Sequence, residues 1–336
     1  AGDVNPEKSD LHHFLAMVSR TTKPVVFTSW NAANLAAIIE MAAVVAGGED
    51  GLRENPFLVL YTEPISPLTL GQESTQKLMF MAERGLPVVF APGMITGATG
   101  PITLAGGIVQ ANAEILAGYV LANLVRPGTP FIYGGSGEPL DMSSMLMSYG
   151  APESMLVVSA LTDMSKYYGL PSFGYAGCSD SNIYDQQASL ESALWVLVAG
   201  LNGANLVHDV GYINNGLTTS FEQIAVSAEV VGAMRRIAGG IEVDEETMAL
   251  DLIAKVGPGG EFLTTEHTLR HFRDNWFPRL VARDPYEKWE EKGRKDLGSR
   301  ANEFVRGILE KHEPELLDPR VAEELRRIVR ANDPSA

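Results

Sequence analysis

The chain has 336 residues, 45% hydrophobic and 20% charged, enough apolar material for a large core in one or two domains and too much for a disordered chain. Twenty-six Lys and Arg against 42 Asp and Glu leave a net charge of −16, which repels nucleic acid and anionic membranes. The single cysteine, Cys178, excludes an intrachain disulfide and any Cys-rich zinc or iron–sulfur site, and points to a reducing, cytoplasmic setting. The polar, acidic start at 1–10 has no apolar signal core, and the most apolar stretches carry Asn34 and Glu40, or Asn112 and Glu114. Neither secretion nor a membrane span is expected.

Short β-branched or aromatic runs alternate with segments of helical period. In chain order the strand runs are 24–30, 57–63, 87–92, 130–134, 171–176 and 204–209, followed by helices over 32–46, 72–84, 102–125, 152–168, 185–201 and 220–238. Six such pairs with few charges in the strands predict a parallel sheet covered by helices on both faces. That leaves a doubly wound sheet or a TIM (β/α)8 barrel. No strand is followed by a GxGxxG or GxxxxGK[ST] spacing, and polar and aromatic residues gather at the strand C-termini, where barrels build their sites. The barrel is therefore expected over 1–240, two units short of eight, with part of it preceding Ala1. After Gly240 the pattern changes to helices without strands, over 244–256, 264–276, 286–312 and 319–329, so 241–336 is expected as a helical region packed on the barrel. The Glu, Lys and Arg of its last two helices suit a solvated face.

The strand ends offer Trp30, Tyr61 with Glu63, Phe90, Tyr133, Phe173 with Tyr175, and His208 with Asp209. Ordinary barrel packing accounts for some of these aromatics, since by alternation about half face the axis. A ring of aromatic faces near carboxylates is also the chemistry that holds a quaternary ammonium, which has no N–H to donate and is drawn to ring quadrupoles. Glu63 lies in a loop stiffened by Pro64 and Pro67, either as a charge partner for a cation or as a loop brace. His208, at the mouth, suits a donor to a substrate oxygen or an acid–base group. The glycine-rich stretches 93–100 and 134–137 predict permissive loops at the mouth, the first with backbone N–H groups that could bind an anion at a helix N-terminus, the second allowing a large molecule to approach the backbone closely. Asp185 reads as a helix N-cap and Cys178 as a buried small hydrophobe. His267 and His271 stand at i and i+4 as metal ligands do, but Glu266 precedes the first histidine and no third ligand is apparent, so no bound metal is expected.

Taken together, Glu63–Leu68, Gly97–Gly106, Ser179-Asp180 through Asp185–Ala188, Asn205–Asp209, and Glu266–Thr268 with Trp289 resemble the trimethylamine methyltransferase family of corrinoid-dependent methyltransferases. These stretches run in the expected order across nearly the whole chain. The resemblance implies a TIM barrel that hands a methyl group from a methylated amine to the Co(I) corrinoid (cobalamin) of a separate partner protein, and family members look longer at the N-terminus. The trimethylamine-specific branch carries pyrrolysine, and no nonstandard residue occurs here. The resemblance then points to the branch using quaternary amines such as glycine betaine, whose tertiary amine leaves without a proton donor. On this reading Trp30, Tyr61, Phe90, Tyr133 and Tyr175 form the cage, Glu63 balances the cation, His208 meets the substrate's carboxylate or hydroxyl, and Asp209 belongs to the substrate-binding set. Gly97, Thr99, Gly135, Ser136 and Asp180 line the corrinoid approach. The alternatives are a methyltransferase for trimethylamine or another methylamine, a non-catalytic quaternary-amine binder on the same barrel, and a metal-dependent barrel enzyme.

Overall fold

The computed structural model describes residues 3–334. In chain order the elements are α1 Ser9–Val18, β1 Val25–Phe27, α2 Ala32–Ala46, α3 Glu49–Glu54, β2 Leu58–Thr62, α4 Gln72–Arg84, β3 Val88–Phe90, β4 Gly93–Thr96 and α5 Leu104–Val125. Next come β5 Phe131–Gly134, β6 Ser136–Asp141, β7 Leu146–Met147, α6 Pro152–Tyr167, β8 Ser172–Tyr175, α7 Gln186–Asn202, β9 Leu206–His208, β10 Tyr212–Ile213, β11 Thr218–Thr219 and α8 Phe221–Ala238. The remainder is helical: α9 Glu245–Met248, α10 Leu250–Val256, α11 Glu266–His271, α12 Tyr286–Glu291, α13 Leu297–Lys311 and α14 Pro319–Asn332. All six expected strand–helix pairs are present.

The six strands form one sheet in the order β1-β2-β3-β5-β8-β9, every pair parallel. On a flat sheet, four strand spacings would separate β2 from β9 by about 19 Å. Instead the rings of Tyr61 on β2 and His208 on β9 lie 5.9 Å apart between centroids, so the sheet curls into a partial (β/α) barrel. Alternation then sorts the side chains. Val26, Val59, Tyr61, Val89, Ala91, Ile132, Phe173 and Leu206 pack together on the concave face. Their neighbours Phe27, Leu58, Leu60, Val88, Phe90, Phe131 and Tyr133 join the core shared with the helices. The apolar α5 is long enough to cross a bilayer by length and composition, and here it packs on α4, α6 and the sheet.

The two glycine-rich stretches are not the permissive loops that the sequence suggests. They pair as parallel β4 and β6, with Gly93 opposite Ser136 and Thr96 opposite Pro139, and β7 completes a small sheet. Their glycines serve close packing: a Cβ at Gly134 would strike the carbonyl of Phe173, and one at Gly137 would come within 2.8 Å of Val157. The chain after Gly240 is more broken than its pattern suggests. The helix expected over 244–256 is interrupted at Ala249 (φ 49°), that over 264–276 stops at His271, and Arg294 (φ 55°) beside Gly293 splits 286–312. Short helices that bury nothing lack the tertiary packing that sustains longer ones. α13 rests on α8, while α14 returns to α1 and α2, where Leu325, Ile328 and Val329 enter the main core. Replacing Gly134 with Ala should lower stability by about 1–3 kcal/mol through this overpacking, measured by urea unfolding; an unchanged midpoint would mean that the β5–β8 contact yields freely.

Candidate functional site

A cavity of about 650 Å³ opens at the C-terminal ends of the strands. Its aromatic wall comes from positions of one phase: Tyr61 on β2, then Phe173 and Tyr175 two residues apart on β8. His208, at the end of β9, stacks on Phe173 with centroids 4.3 Å apart and planes 14° from parallel. Its Nδ1 lies 2.6 Å from Asp209 Oδ1. A carboxylate only accepts, so Nδ1 carries the hydrogen and Nε2 is left for a ligand. Asp209 holds this position with φ 66°, a left-handed conformation unusual outside glycine, in keeping with strain stored at functional sites.

The acidic groups lining the cavity are Asp10, Glu63, Glu138 and Asp209, and among the described residues no lysine or arginine joins them. Tyr61 donates its hydroxyl to Glu63 in a short hydrogen bond. Burial, followed by the Glu63 charge, pushes the Tyr61 phenol well above its ordinary value, so it remains a donor. Burial and then the nearby Glu138 carboxyl also push up the phenols of Tyr149 and Tyr175. The rings are therefore neutral faces. Glu138 is 3% exposed, and burial raises its carboxyl above the ordinary 4.5 against the opposing pull of the Tyr175 and Ser136 hydroxyls. Neither Glu138 Oε1 nor Tyr175 Oη has a well-formed hydrogen bond within the protein.

Of the residues singled out from the sequence, Tyr61, Glu63, Gly135, Ser136, Tyr175, His208 and Asp209 meet at this cavity. Trp30, Phe90 and Tyr133 do not line it. Trp30 is 62% exposed, with its backbone N–H on Asp10 Oδ2. Phe90 points into the helix layer against Gly118, where a Cβ would strike its ring, and Tyr133 donates to Asn112 of α5 at 2.7 Å. Gly97 and Thr99 also lie off the cavity, in a turn closed by the Thr99 hydroxyl accepting from the Ile95 N–H. Asp180 is a brace: its carboxylate accepts from the Ser148 hydroxyl and from the N–H groups of Tyr149 and Gly150. It thereby sets Tyr149, whose ring meets Tyr175 edge-on at 5.3 Å. Asp185 caps α7 through the Ala188 N–H, and Cys178 is fully buried with its thiol pushed up by burial.

Several lining residues were not singled out from the sequence. Asp10 and His13 come from α1, which no strand-end argument reaches, and Glu138 sits in a glycine-rich strand that reads as a loop. Tyr149 is held at the cavity by Asp180, 31 residues away, and by the Trp195 indole N–H on its carbonyl. The loop bearing Glu63 is anchored by buried Glu114, which accepts from the Ser66 hydroxyl (2.7 Å) and the Leu68 N–H (2.8 Å).

The curled parallel sheet and the acidic, aromatic cavity at its strand ends define a partial (β/α) barrel protein with a cation-suited site. Comparison with known proteins is specific. The family model "Trimethylamine methyltransferase (MTTB)" matches residues 1–334. A trimethylamine methyltransferase MttB of Desulfitobacterium hafniense (strain DSM 10664 / DCB-2) is 36% identical over 327 residues, covering 97% of this chain and 66% of the relative. A glycine betaine methyltransferase of Desulfitobacterium hafniense (strain Y51) is 37% identical over 293 residues, 87% of this chain and 61% of that protein. Trimethylamine methyltransferase MttB of Methanosarcina thermophila is 32% identical over 316 residues, 92% and 65% respectively. The chain belongs to the trimethylamine methyltransferase family, and it spans a little under two thirds of the length of these relatives.

The raised carboxyl of Glu138 makes a pH prediction. An acid whose folded value lies above its unfolded one costs nothing below the unfolded value and destabilises progressively as pH rises through the folded one. Glu138→Gln should therefore gain melting temperature over the native chain as pH is raised from 4.5 to 7.5. A difference independent of pH would mean that Glu138 ionises as freely as in the unfolded chain.

Proposed function

We propose that this chain binds a quaternary ammonium, glycine betaine being the leading candidate, and presents one of its N-methyl carbons to the Co(I) corrinoid of a separate carrier protein. The observation that carries the reading is the cavity itself: ring faces from Tyr61, Tyr149, Phe173 and Tyr175, carboxyl groups from Glu63, Glu138 and Asp209, and no basic lysine or arginine. A nitrogen bearing four carbons offers no hydrogen bond, so ring quadrupoles and nearby negative charge are what can select it. The substrate carboxylate is assigned to His208 in the form that carries a hydrogen on Nε2 as well as on Nδ1, so that Nε2 donates to the substrate while Asp209 and stacking on Phe173 fix the ring. The match to relatives that act on trimethylamine and glycine betaine supports the substrate class.

The mouth suits a large planar group brought from outside. Gly93, Gly135 and Ser136 keep it low, and a Cβ at Gly93 would lie 4.0 Å from both Glu63 Oε1 and the Ser136 hydroxyl. When docked, the partner's corrinoid supplies the nucleophile that accepts the methyl group. The chain's own part is to hold the ammonium, align a methyl carbon with the mouth and exclude water. As the C–N bond breaks, the nitrogen keeps the electron pair and departs as a neutral tertiary amine. No protein acid is needed, consistent with phenols held protonated around the site.

Trimethylamine is the second reading, favoured by the activity named for two of the relatives. Transfer of methyl from a panel of amines to Co(I) corrinoid on a carrier protein, followed by loss of Co(I) absorbance, separates the two. Glycine betaine is expected to react and trimethylamine to be inert. The reverse outcome selects the second reading, and binding without transfer from any amine reduces the barrel to a binder. His208→Ala should lower kcat/KM for glycine betaine about 10–100-fold, mainly through KM, as loss of a charge-assisted hydrogen bond does. Unchanged kinetics would remove His208 from the site.

A further inference from the structure

Outside the barrel, His267 and His271 face each other on α11 with ring centroids 4.5 Å apart, and Glu246 arrives from α9. One ligand atom from each of the three lies within 4.8 Å of the others. Glu246 Oε1 and His271 Nε2 are 3.3 Å apart, matching the edge of about 3.3 Å that joins two ligands on a tetrahedral zinc ion. The sequence pairs the two histidines but not Glu246, which lies 25 residues from His271.

Three details point to an occupant. His271 Nδ1 lies 2.7 Å from Asp274 Oδ2, so Nδ1 carries a hydrogen and the Nε2 lone pair of the neutral ring confronts the Glu246 carboxylate, acceptor against acceptor. His267 Nε2 is sealed from solvent with no hydrogen-bond partner, a costly state for a buried polar atom. Finally, α9, α10 and α11 contain no buried residue, so apolar packing does not hold this segment together. A cavity of about 950 Å³ lined by Glu246, His267 and Arg270, among others, gives access. Arg270, at 2.7 Å from Glu246 Oε1, already balances part of the carboxylate charge.

We propose that Glu246, His267 and His271 form a binding site for a divalent transition metal of the zinc class, which pins α9 to α11, with Asp274 as the outer carboxylate that orients His271. Two imidazoles and one carboxylate suit zinc, whereas magnesium and calcium favour all-oxygen sites. A metal here relieves the facing acceptors, supplies the cross-link that this segment lacks and, taken up through Nε2 of His267, would give that atom its partner. The rival occupant is a second proton on His271, whose affinity for protons is raised by hydrogen bonds to Asp274 and Glu246.

The test uses chelator-treated protein equilibrated with zinc chloride and passed through a desalting column, with bound zinc counted by mass spectrometry and cobalt(II) substituted in parallel. About one zinc per chain is expected, with tetrahedral cobalt bands in the visible spectrum and a melting temperature raised by zinc. His267→Ala and Glu246→Gln should lose the zinc, the cobalt bands and the thermal shift, and Asp274→Asn should bind about 10–100-fold more weakly. Circular dichroism confirms that each variant is folded, and Asp274→Asn, which keeps all three ligands, carries the test if the others are not. No retained zinc in the native chain, or equal zinc in the native chain and its variants, would overturn the proposal in favour of the protonated histidine.

Discussion

Four carboxyl groups share one partly enclosed cavity whose lining, among the described residues, has no lysine or arginine, and the arrangement around the mouth follows from how each is neutralised. Asp10 is met by the Ser29 hydroxyl, the Trp30 N–H and the Asn34 amide, contacts that tie α1 to the end of β1 and the start of α2. Asp209 takes His208, and Glu63 takes Tyr61. Glu138 is left without a well-formed hydrogen bond at Oε1, and burial outweighs the pull of the nearby Tyr175 and Ser136 hydroxyls and favours its protonated form. The negative character that remains is what a cation without an N–H can use, because it needs charge and polarisable faces rather than acceptors in fixed directions.

The sheet makes this possible by sorting aromatics with a period of two. Tyr61, Phe173 and Tyr175 face the concave side, while Phe90 and Tyr133, at equivalent strand ends, face the helices. Existence of the strands and helices was legible because β-branched runs, prolines and capping residues punctuate the chain, and all six pairs lie close to their expected places. Strand phase was not legible. A parallel strand in a barrel is apolar on both faces, so the sequence of a single run does not say which side turns inward. The deciding partners lie elsewhere: Gly118 leaves space for Phe90, and Asn112 receives Tyr133, both from α5.

The other hidden features share a cause. Asp10, Tyr149 and Glu246 act through contacts 19 to 31 residues away, and local spacing carries no trace of them. Glu138 was concealed by its setting, since glycines that read as freedom are there for the contacts of β5 with β8 and of β6 with α6. In the last hundred residues, charged helical periodicity ran through Ala249 and Arg294, where the backbone turns to positive φ. His208 and Glu63 were legible for the opposite reason: the end of a barrel strand is a place where the fold itself brings residues together.

On the proposed reading, the cavity recognises positive charge at a carbon-clad nitrogen. The most direct test is calorimetric binding of glycine betaine against 3,3-dimethylbutanoate, which has the same shape and carboxylate with carbon in place of the charged nitrogen. Ring faces and carboxylates should favour betaine by at least about tenfold, the scale of cation–π stabilisation in a desolvated site. Equal affinity for the two would mean that the cavity selects shape alone and does not recognise the charge.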